Sequence, residues 1–322
     1  MPTISTVRGS VDSGSLGATL MHEHVFVLSP EINQNYPDIL GEEGPRIDEA
    51  VERLDELKAA GIDSIVDLTV VGLGRNIPLI QKVAARTDLQ IVVATGVYTY
   101  NDVPMFFSSR SRAGQPDLMS EFFVRDIEQG TAGTGVRAGI LKCATDEPGV
   151  TEGVEMVLRQ VAKAHRRTGA PISTHTHAAM RRGLDQQRVF EEEGVDLSRV
   201  IIGHSGDTTD IAYLEELMGR GSYIGMDRFG IDIYCPFDDR VNTVVTLCER
   251  GHADKMVLSH DAACLMDWFP GDLLKQFAPK WNYLHISNDV IPALKERGVS
   301  EEQVKQMMVE NPRRIFETQG GY

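Results

Sequence analysis

The sequence predicts an α/β protein that folds as one (β/α)8 TIM barrel domain over residues 1–322, and three observations support this. Short apolar runs alternate with amphipathic helical patterns almost from end to end, which is typical of parallel strands joined by helices. Side chains able to bind metal stand singly at the ends of these runs, and a barrel gathers such strand ends on one face. The 322 residues suit a barrel of about 250 residues with additions.

The strand and helix candidates follow one another in regular order. Runs such as Ile-Val-Val-Ala and Val-Ile-Ile-Gly are nearly continuous in apolar residues, as expected for strands covered on both faces. The eight strand candidates are residues 18–25, 64–69, 90–97, 138–143, 171–175, 200–204, 223–227 and 255–261. Helical patterns cover residues 47–60, 153–168, 212–220, 240–250, 289–297 and 301–310. Two long irregular stretches, 98–116 and 262–280, follow the third and eighth strands and are expected over the barrel mouth.

A doubly wound open sheet is the alternative architecture. It would be expected to carry a glycine-rich phosphate-binding turn after its first strand. Here the first strand ends in His-Glu-His instead, and the segment Gly72-Leu73-Gly74 lacks the third glycine of a dinucleotide-binding turn. The barrel is therefore the preferred architecture.

Charge and cysteine content narrow the functional classes. The chain has 47 acidic and 32 basic residues and a formal net charge of -15. This negative charge disfavours nucleic acid and anionic membrane surfaces as partners, so a small-molecule substrate fits better. The four cysteines show no Cys-x-x-Cys spacing, which argues against a disulfide framework or a zinc knuckle. The start of the chain lacks the pattern of a secretion signal, and a cytoplasmic protein is expected.

His22 and His24 form the first candidate metal-binding group. Residues two apart in a strand face the same way, so both imidazoles can point into the barrel while Glu23 faces the other side. Two histidines in an otherwise apolar run need partners if they are buried, which favours metal binding over polar decoration. The order is not His-Glu-x-x-His, so the helical metalloprotease arrangement does not apply.

Lys142 ends the run Ala-Gly-Ile-Leu-Lys, where a buried ammonium group is costly unless it is paired or neutralised. The residues alone leave three interpretations open. The lysine can be a salt-bridge partner or a side chain that reaches solvent, or it can be a Schiff-base nucleophile whose pKa is depressed by burial. In the third interpretation, carbon dioxide caps the neutral amine as a carbamate, an anionic ligand able to bridge two metals.

His175, His204 and Asp261 also close strand runs, and imidazole is the commonest protein ligand for zinc and its neighbours. His177 shares the facing of His175 if the strand continues that far, so spacing alone does not choose between them. Asp261 can bind a metal, take a proton or cap a loop. The adjacent His260 should face away and is interpreted as structural.

With these residues in order, the chain resembles the phosphotriesterase family of the amidohydrolase superfamily, and within it the phosphotriesterase-like lactonases. The resemblance covers nearly the whole chain, from about His22 to the closing Asn-Pro-Arg-Arg-Ile-Phe segment. It rests on Met-His-Glu-His, Ile-Leu-Lys-Cys-Ala-Thr-Asp-Glu-Pro-Gly, Ser-Thr-His-Thr, Ile-Gly-His-Ser-Gly-Asp-Thr and Leu-Ser-His-Asp. An ordered set of this kind is highly specific.

The resemblance implies a centre of two divalent metal ions, either zinc or one of cobalt, iron and manganese. The side chains that it assigns to this centre are His22, His24, Lys142, His175, His204 and Asp261. By the same resemblance, the first two histidines and Asp261 bind the more buried ion, and the other two histidines bind the more exposed one. Lys142, as its carbamate, bridges the ions together with a hydroxide. The resemblance also selects His175 over His177.

Tyr98 and Arg228 match positions at which the lactonases carry Tyr and Arg. The phosphotriesterases proper carry other residues there, including a histidine in place of Arg228, so a histidine-relayed proton path is not expected here. The resemblance implies that the candidate catalytic residues are Asp261, Tyr98 and Arg228. The expected substrate pocket consists of Tyr98, Arg228, Phe229, Cys264, Leu265, Trp268 and Phe269.

The leading functional hypothesis is a quorum-quenching lactonase that opens N-acyl-homoserine lactones, with slow side activity on organophosphate triesters. In it the bridging hydroxide attacks the ring carbonyl and Asp261 shuttles the proton. The alternatives are a phosphotriesterase or another metal-dependent esterase on the same scaffold, a Schiff-base aldolase using Lys142, and a binding or sensor barrel without catalysis. The resemblance further implies a homodimer.

Overall fold

The computed structural model of the chain describes residues 2–269, 271–317 and 320–322. The fold begins with a short antiparallel hairpin of β1 (Thr3–Thr6) and β2 (Gly9–Asp12). Ile4 of this hairpin packs with Phe316, near the end of the chain, against side chains inside the barrel. The hairpin and the last helix together therefore cover the end of the barrel at which the strands begin.

In the described part of the chain, nine parallel strands form one curled sheet in which sequence neighbours pair. They are β3 (Thr19–Val27), β4 (Ser64–Asp67), β5 (Gln90–Gly96), β6 (Ile140–Thr145), β7 (Ile172–Thr176), β8 (Val200–Ile202), β9 (Tyr223–Met226), β10 (Met256–Leu258) and β11 (Ala263–Met266).

The last two strands are two halves of the eighth barrel strand. β10 pairs with β9, whereas β11 pairs with β3, the first barrel strand. Between these halves, Asp261 N–H donates to His22 O at 3.0 Å, and Ala262 O accepts from His24 N–H at 2.8 Å. These bonds join the end of the sheet to its beginning, so the predicted (β/α)8 TIM barrel is confirmed.

Helices connect the strands and surround the sheet. They are α1 (Pro30–Asn35), α2 (Glu43–Ala59), α3 (Ile77–Ala84), α4 (Met105–Arg112), α5 (Met119–Glu128), α6 (Glu152–Thr168), α7 (Arg182–Glu192), α8 (Ile211–Gly219), α9 (Phe237–Glu249), α10 (Gly271–Phe277), α11 (Ile291–Glu296), α12 (Glu301–Lys305) and α13 (Asn311–Glu317). Among these described helices none is long and apolar enough to cross a membrane.

The two stretches predicted to be irregular contain regular structure. α4 lies within 98–116, and both β11 and α10 lie within 262–280; Pro270 falls outside the described residues. The sequence pattern did not reveal α4 because Phe107 is the one buried side chain of this helix. A helix with so small an apolar face leaves little periodic signal in the sequence.

The interior of the barrel is apolar toward the start of its strands. We call the following buried side chains the inner core: Met21, Val66, Val92, Ile140, Ile201, Tyr223 and Val257. A larger apolar cluster fills the space between the outer face of the sheet and the helices. The barrel is therefore a packed core in its lower half, and any site must lie above it.

Candidate metal centre

A bulge in β3 determines which way its histidines face. Leu20 pairs with Ile65 and Glu23 with Asp67, so three steps along β3 correspond to two along β4. An extra residue of this kind reverses the alternation of inward and outward side chains. As a result, Met21 packs in the inner core, and the imidazoles that follow it also point into the barrel.

His22, His24 and Asp261 converge above the inner core. The Nε2 atoms of His22 and His24 lie 3.3 and 3.1 Å from Asp261 Oδ1. Both rings are buried. Lys142 Nζ lies 3.1 Å from His22 Nε2 and 3.2 Å from the carbonyl oxygen of Thr174. Lys142 is only 1% exposed, so it is not a side chain that extends into solvent.

His204 and His175 complete the group on the other side. His204 Nε2 lies 3.7 Å from Asp261 Oδ2, and its ring stacks on His22 with a centroid separation of 4.8 Å. The rings of His175 and His204 meet edge to face at 4.5 Å. His177 lies outside the lining of the cavity that these rings share, and within the described residues its Nδ1 atom has no hydrogen-bond partner. The structure thus brings together all six side chains assigned to the metal centre.

The protonation states of these groups suit a divalent cation. Burial lowers the pKa values of His22 and His204 well below the ordinary value and that of His175 to about 4, so the rings are neutral and their lone pairs are available. Burial alone would raise the pKa of Asp261, but His22, His24 and Arg228 outweigh it and hold that pKa far below its usual range. Neutral imidazoles and a carboxylate are the donor set that zinc and its neighbours take, so the residues fit such a group.

Asp227 is a residue of the site that sequence reasoning missed. Its Oδ2 atom lies 2.8 Å from His22 Nδ1, and its Oδ1 atom lies 2.9 Å from His204 Nδ1 and accepts the backbone N–H of His204 at 2.7 Å. Asp227 also forms a possible ligand group with these two histidines. Because it already engages their Nδ1 atoms, we interpret it as the residue that turns both Nε2 atoms toward Asp261. An acidic residue at the end of the seventh strand was the available signal.

Two further side chains orient the remaining rings. Thr69 Oγ1 lies 2.8 Å from His24 Nδ1, and Asp146 contacts His175 Nε2. Thr69 thereby turns His24 Nε2 toward the centre, which is the usual arrangement around metal-binding histidines, and Asp146 leaves His175 Nδ1 on the side of the centre, next to Tyr98. Thr69 and Asp146 are distant in sequence from the rings that they contact, so no local sequence pattern predicts them.

Arg228 and Tyr98 stand at the rim of the centre. Arg228 Nε donates to Asp261 Oδ2 at 3.1 Å, and its Nη1 donates to Asp207 Oδ2 at 3.0 Å. Tyr98 OH lies 3.2 Å from His175 Nδ1 and contacts the hydroxyl of Tyr100. Burial raises the pKa of Tyr98 well above its ordinary value, so the phenol keeps its proton. Asp207 and Tyr100 are additions to the residues predicted from sequence.

A cavity of about 330 Å³ opens from this centre toward solvent. Aromatic and aliphatic side chains of the seventh and eighth loops form its outer wall. They are Ile231, Ile233, Tyr234, Met266, Trp268, Phe269, Leu273, Leu274, Phe277 and Trp281. Trp268 and Phe269, which were expected in the pocket, lie in this wall.

Three residues expected in the pocket lie elsewhere, and these expectations are corrected. Phe229 is fully buried beneath the guanidinium group of Arg240, which lies 5.7 Å from its ring centroid. Cys264 and Leu265 face a neighbouring cavity of about 650 Å³ beside α2. The reason is that this segment is the strand β11 rather than a loop, so that Cys264 points outward to Tyr283 OH, 3.3 Å away.

A barrel with an enclosed group of histidines, a carboxylate and a lysine at its C-terminal mouth defines a hydrolase with a candidate metal centre. The sequence model of the Phosphotriesterase family matches residues 2–316, and the chain belongs to that family.

Individual relatives agree with this assignment. The chain is 65% identical to the "Phosphotriesterase homology protein" of Mycobacterium tuberculosis (strain ATCC 25618 / H37Rv), with 100% of both chains covered. It is 40% identical to the "Aryldialkylphosphatase" of Saccharolobus solfataricus, over 96% of this chain and 98% of that protein. The solved structure described as the phosphotriesterase from Mycobacterium tuberculosis superposes with a TM-score of 0.97 at 64% identity and covers 100% of both chains.

Proposed function

We propose that this protein hydrolyses lactones, with N-acyl-homoserine lactones as its substrate class, and that it acts more slowly on organophosphate triesters. The observation that carries the proposal is that one cavity has two chemically different ends. Its floor presents the metal-centre side chains and Arg228, whereas its outer wall is almost wholly aromatic and aliphatic. A substrate with a compact, polar ester ring and an apolar tail matches both ends. Quorum quenching is the biological role that such a substrate suggests.

We infer that two divalent ions, zinc or one of cobalt, iron and manganese, are held by His22, His24 and Asp261 on one side and by His175 and His204 on the other. When bound, such ions polarise an ester carbonyl and provide a water-derived nucleophile at neutral pH. The four imidazoles and the carboxylate support this because each is already oriented or charged as a ligand must be.

Lys142 is the proposed bridging ligand, as its carbamate. Burial lowers the pKa of Lys142 to about 8, so part of the population carries a neutral amine at neutral pH. Attack of that amine on carbon dioxide forms an N–C bond and releases one proton, which turns a buried cation into an anion. Burial makes a free ammonium group costly, and bound cations would stabilise the anionic carbamate in its place.

Asp261 is the proposed proton carrier. It takes the proton that the attacking water loses, and it delivers that proton to the ring oxygen as the C–O bond breaks. Arg228 holds Oδ2 of this carboxylate. Although burial opposes the charge of Arg228, Asp261 and Asp207 raise its pKa above the ordinary value. The guanidinium group therefore stays charged and orients Asp261 without exchanging protons itself.

Tyr98 is the proposed hydrogen-bond donor to the oxygen that gains charge during attack. Its phenol stays protonated and lies beside His175 at the entrance to the centre. A fixed donor of this kind favours the transition state over the neutral ester. Tyr98→Phe is therefore expected to lower kcat more than it changes KM.

The proposed activity is tested by steady-state kinetics on three compounds: a long-chain acyl-homoserine lactone, a lactone without a tail and an aryl phosphotriester. The long-chain lactone should have the highest kcat/KM, and removal of metal with a chelator should abolish its turnover until metal is restored. Undiminished turnover after complete metal removal would refute the mechanism. A phosphotriester preferred by orders of magnitude would refute the substrate assignment.

Phosphotriester hydrolysis is the second candidate function, and the 40% identical relative called "Aryldialkylphosphatase" favours it. The apolar wall separates the two candidates. Trp268→Ala should lower kcat/KM for the long-chain lactone about tenfold or more and leave a compact phosphotriester little affected, since it removes a large part of the tail's contact surface. Leu265→Ala is the matched control, because Leu265 lies next to the wall but faces the neighbouring cavity.

The oligomeric state is a separate prediction. We expect a homodimer, and light scattering of the purified protein tests this.

A further inference from the structure

Asp261 has an unusual backbone conformation for a residue with a side chain. Its φ is +57°, in the left-handed region, which costs on the order of 1–3 kcal/mol unless the surroundings enforce it. Glu23, on the first barrel strand, holds the backbone of Asp261 in this conformation. Its Oε1 atom accepts the backbone N–H of His260 at 2.9 Å, and its Oε2 atom accepts the backbone N–H of Ala262 at 2.9 Å. One carboxyl group thus binds the backbone N–H groups of the residues on both sides of Asp261.

The position of Glu23 makes this contact specific to the metal centre. It stands between His22 and His24, with its side chain directed away from them toward the eighth strand. The two histidines and Asp261 offer ligand atoms that all lie within 4.8 Å of one another. The residue between two ligands of one group therefore fixes the backbone of the third.

His260 extends this connection to the substrate cavity. Its Nδ1 atom lies 2.8 Å from Glu23 Oε1, and its Nε2 atom accepts the backbone N–H of Ile286 at 2.8 Å, so the ring is neutral with its proton on Nδ1. Its carbonyl oxygen accepts the indole N–H of Trp281 at 2.8 Å, and Trp281 lines the cavity. Glu23 and His260 are both fully buried.

We propose that Glu23 is a positioning residue that sets Asp261 relative to His22 and His24, and that His260 carries the same constraint to the Trp281 side of the substrate cavity. This inference rests on the metal centre of the proposed function. Neither residue touches the substrate or the reacting atoms, so each acts through its neighbour. The competing explanation is that the pair merely ties the first strand to the eighth.

Glu23→Gln tests the proposal because it keeps the shape but replaces one acceptor oxygen with an NH2 group facing an N–H donor. The readout is zinc affinity, measured by competition with a chromophoric chelator on folded protein. Loss of a residue that orients a metal ligand typically weakens affinity about 10–100-fold, and we expect a change of that size. A zinc affinity within twofold of the unmodified protein overturns the proposal, and a lower unfolding midpoint alone then identifies a purely structural tie.

His260→Asn is the matched variant for the second arm. Asparagine keeps an N–H donor near the Nδ1 position but loses the acceptor for Ile286, so zinc affinity should stay near that of the unmodified protein while KM for the long-chain lactone rises severalfold. Zinc affinity weakened as much as in Glu23→Gln, or an unchanged KM, overturns the assignment of His260 to the cavity side.

If Glu23→Gln does not fold, Glu23→Asp takes its place. This variant keeps the two acceptor oxygens and withdraws them by one methylene, so it should also weaken zinc binding, and unchanged affinity overturns the proposal in the same way. The zinc measurement needs no substrate. If the variant loses zinc affinity and the unmodified enzyme opens no lactone, the results support this inference and contradict the proposed function.

Discussion

The lower and upper halves of the barrel interior are built from the same strands but obey opposite rules. On β6, Ile140 belongs to the inner core, and Lys142, two residues later, belongs to the candidate metal centre. The eighth strand repeats this order with Val257 and Asp261. The lower half is packed mainly with apolar side chains, whereas the upper half buries charged and polar groups that contact one another. Stability and chemistry are therefore separated along each strand rather than between strands.

The upper half also contains residues with a positive φ, a backbone conformation that is rare for residues with a side chain. His204 and Asp261 both have φ of +57°, and both carry functional side chains. Conformations of this kind persist only where neighbouring groups over-determine them. The lower half shows what stabilises such a site, because its packed apolar side chains can offset the free energy that the upper half costs.

The largest effect should come from the upper half. Asp261→Asn is expected to lower kcat/KM by about 10³-fold, because it removes the proposed proton carrier and a ligand charge together. The protein should still fold, since Arg228 keeps Asp207 as a partner. Kinetics with circular dichroism as the control check this, and a loss below tenfold would contradict the assigned role.

The lower half should show the reverse pattern. Ile140→Ala is expected to reduce the free energy of unfolding by about 3 kcal/mol, because it leaves a cavity in the inner core. Its kcat and KM should remain close to those of the unmodified enzyme at a temperature where both are folded. Urea unfolding and kinetics on the same preparations test this, and a tenfold fall in kcat would show that the halves are coupled.

Acid should destabilise the metal-free protein through buried imidazoles of the upper half, among them His175. The pKa of His175 is about 4 in the folded protein, against an ordinary value of 6.5, so the unfolded chain binds its proton more readily. The stability from this group is present above about pH 6.5 and is lost as pH falls toward 4, with a loss of about 2 kcal/mol at pH 5. Urea unfolding midpoints measured between pH 8 and 5 give the slope.

His175→Asn is the control for this acid dependence, since it removes one titrating ring and should reduce the slope. Ile140→Ala should lower stability by the same amount at each pH. Parallel curves for the unmodified protein and His175→Asn would contradict the assignment of the acid sensitivity to this ring.

The smallest effect should come from a polar contact at the opposite end of the barrel. Tyr322 OH lies 2.8 Å from His165 Nε2 and accepts the backbone N–H of Asp196 at 2.6 Å. Tyr322→Phe is expected to lower the free energy of unfolding by about 1 kcal/mol, the usual net value of such a bond, with activity unchanged. Thermal unfolding measures the loss of stability. A change in kcat/KM of more than twofold would contradict the separation of stability from chemistry along the barrel.

The sequence predicted the parts of the fold and site that depend on local pattern. Apolar runs marked the barrel strands, and their ends marked the six side chains that the structure brings together, because strand ends of a barrel share one face. The bulge in β3 was not predicted, since register depends on the neighbouring strand. Asp227 and Asp146 were missed for a related reason, because their roles exist only through contacts made across the fold.

Pocket residues taken from irregular segments were the least predictable. Trp268 and Phe269 follow β11 and line the cavity, whereas Cys264 and Leu265 belong to β11 and face away. The pairing of this short strand with β3 decides which way its side chains face, and nothing in the loop's own sequence shows that pairing. Phe229 illustrates the same limit, because the buried Arg240 that covers it comes from the following helix.

The divided eighth strand has a consequence for how the protein is made. Its two halves close the barrel, and Asp261 lies at the break between them. The ribosome synthesises this segment after more than three quarters of the chain. A nascent polypeptide therefore carries the other five side chains of the candidate centre before it has the strand that closes the barrel or the carboxylate of Asp261. The complete candidate centre and the closed barrel are therefore both formed only after this segment has been made.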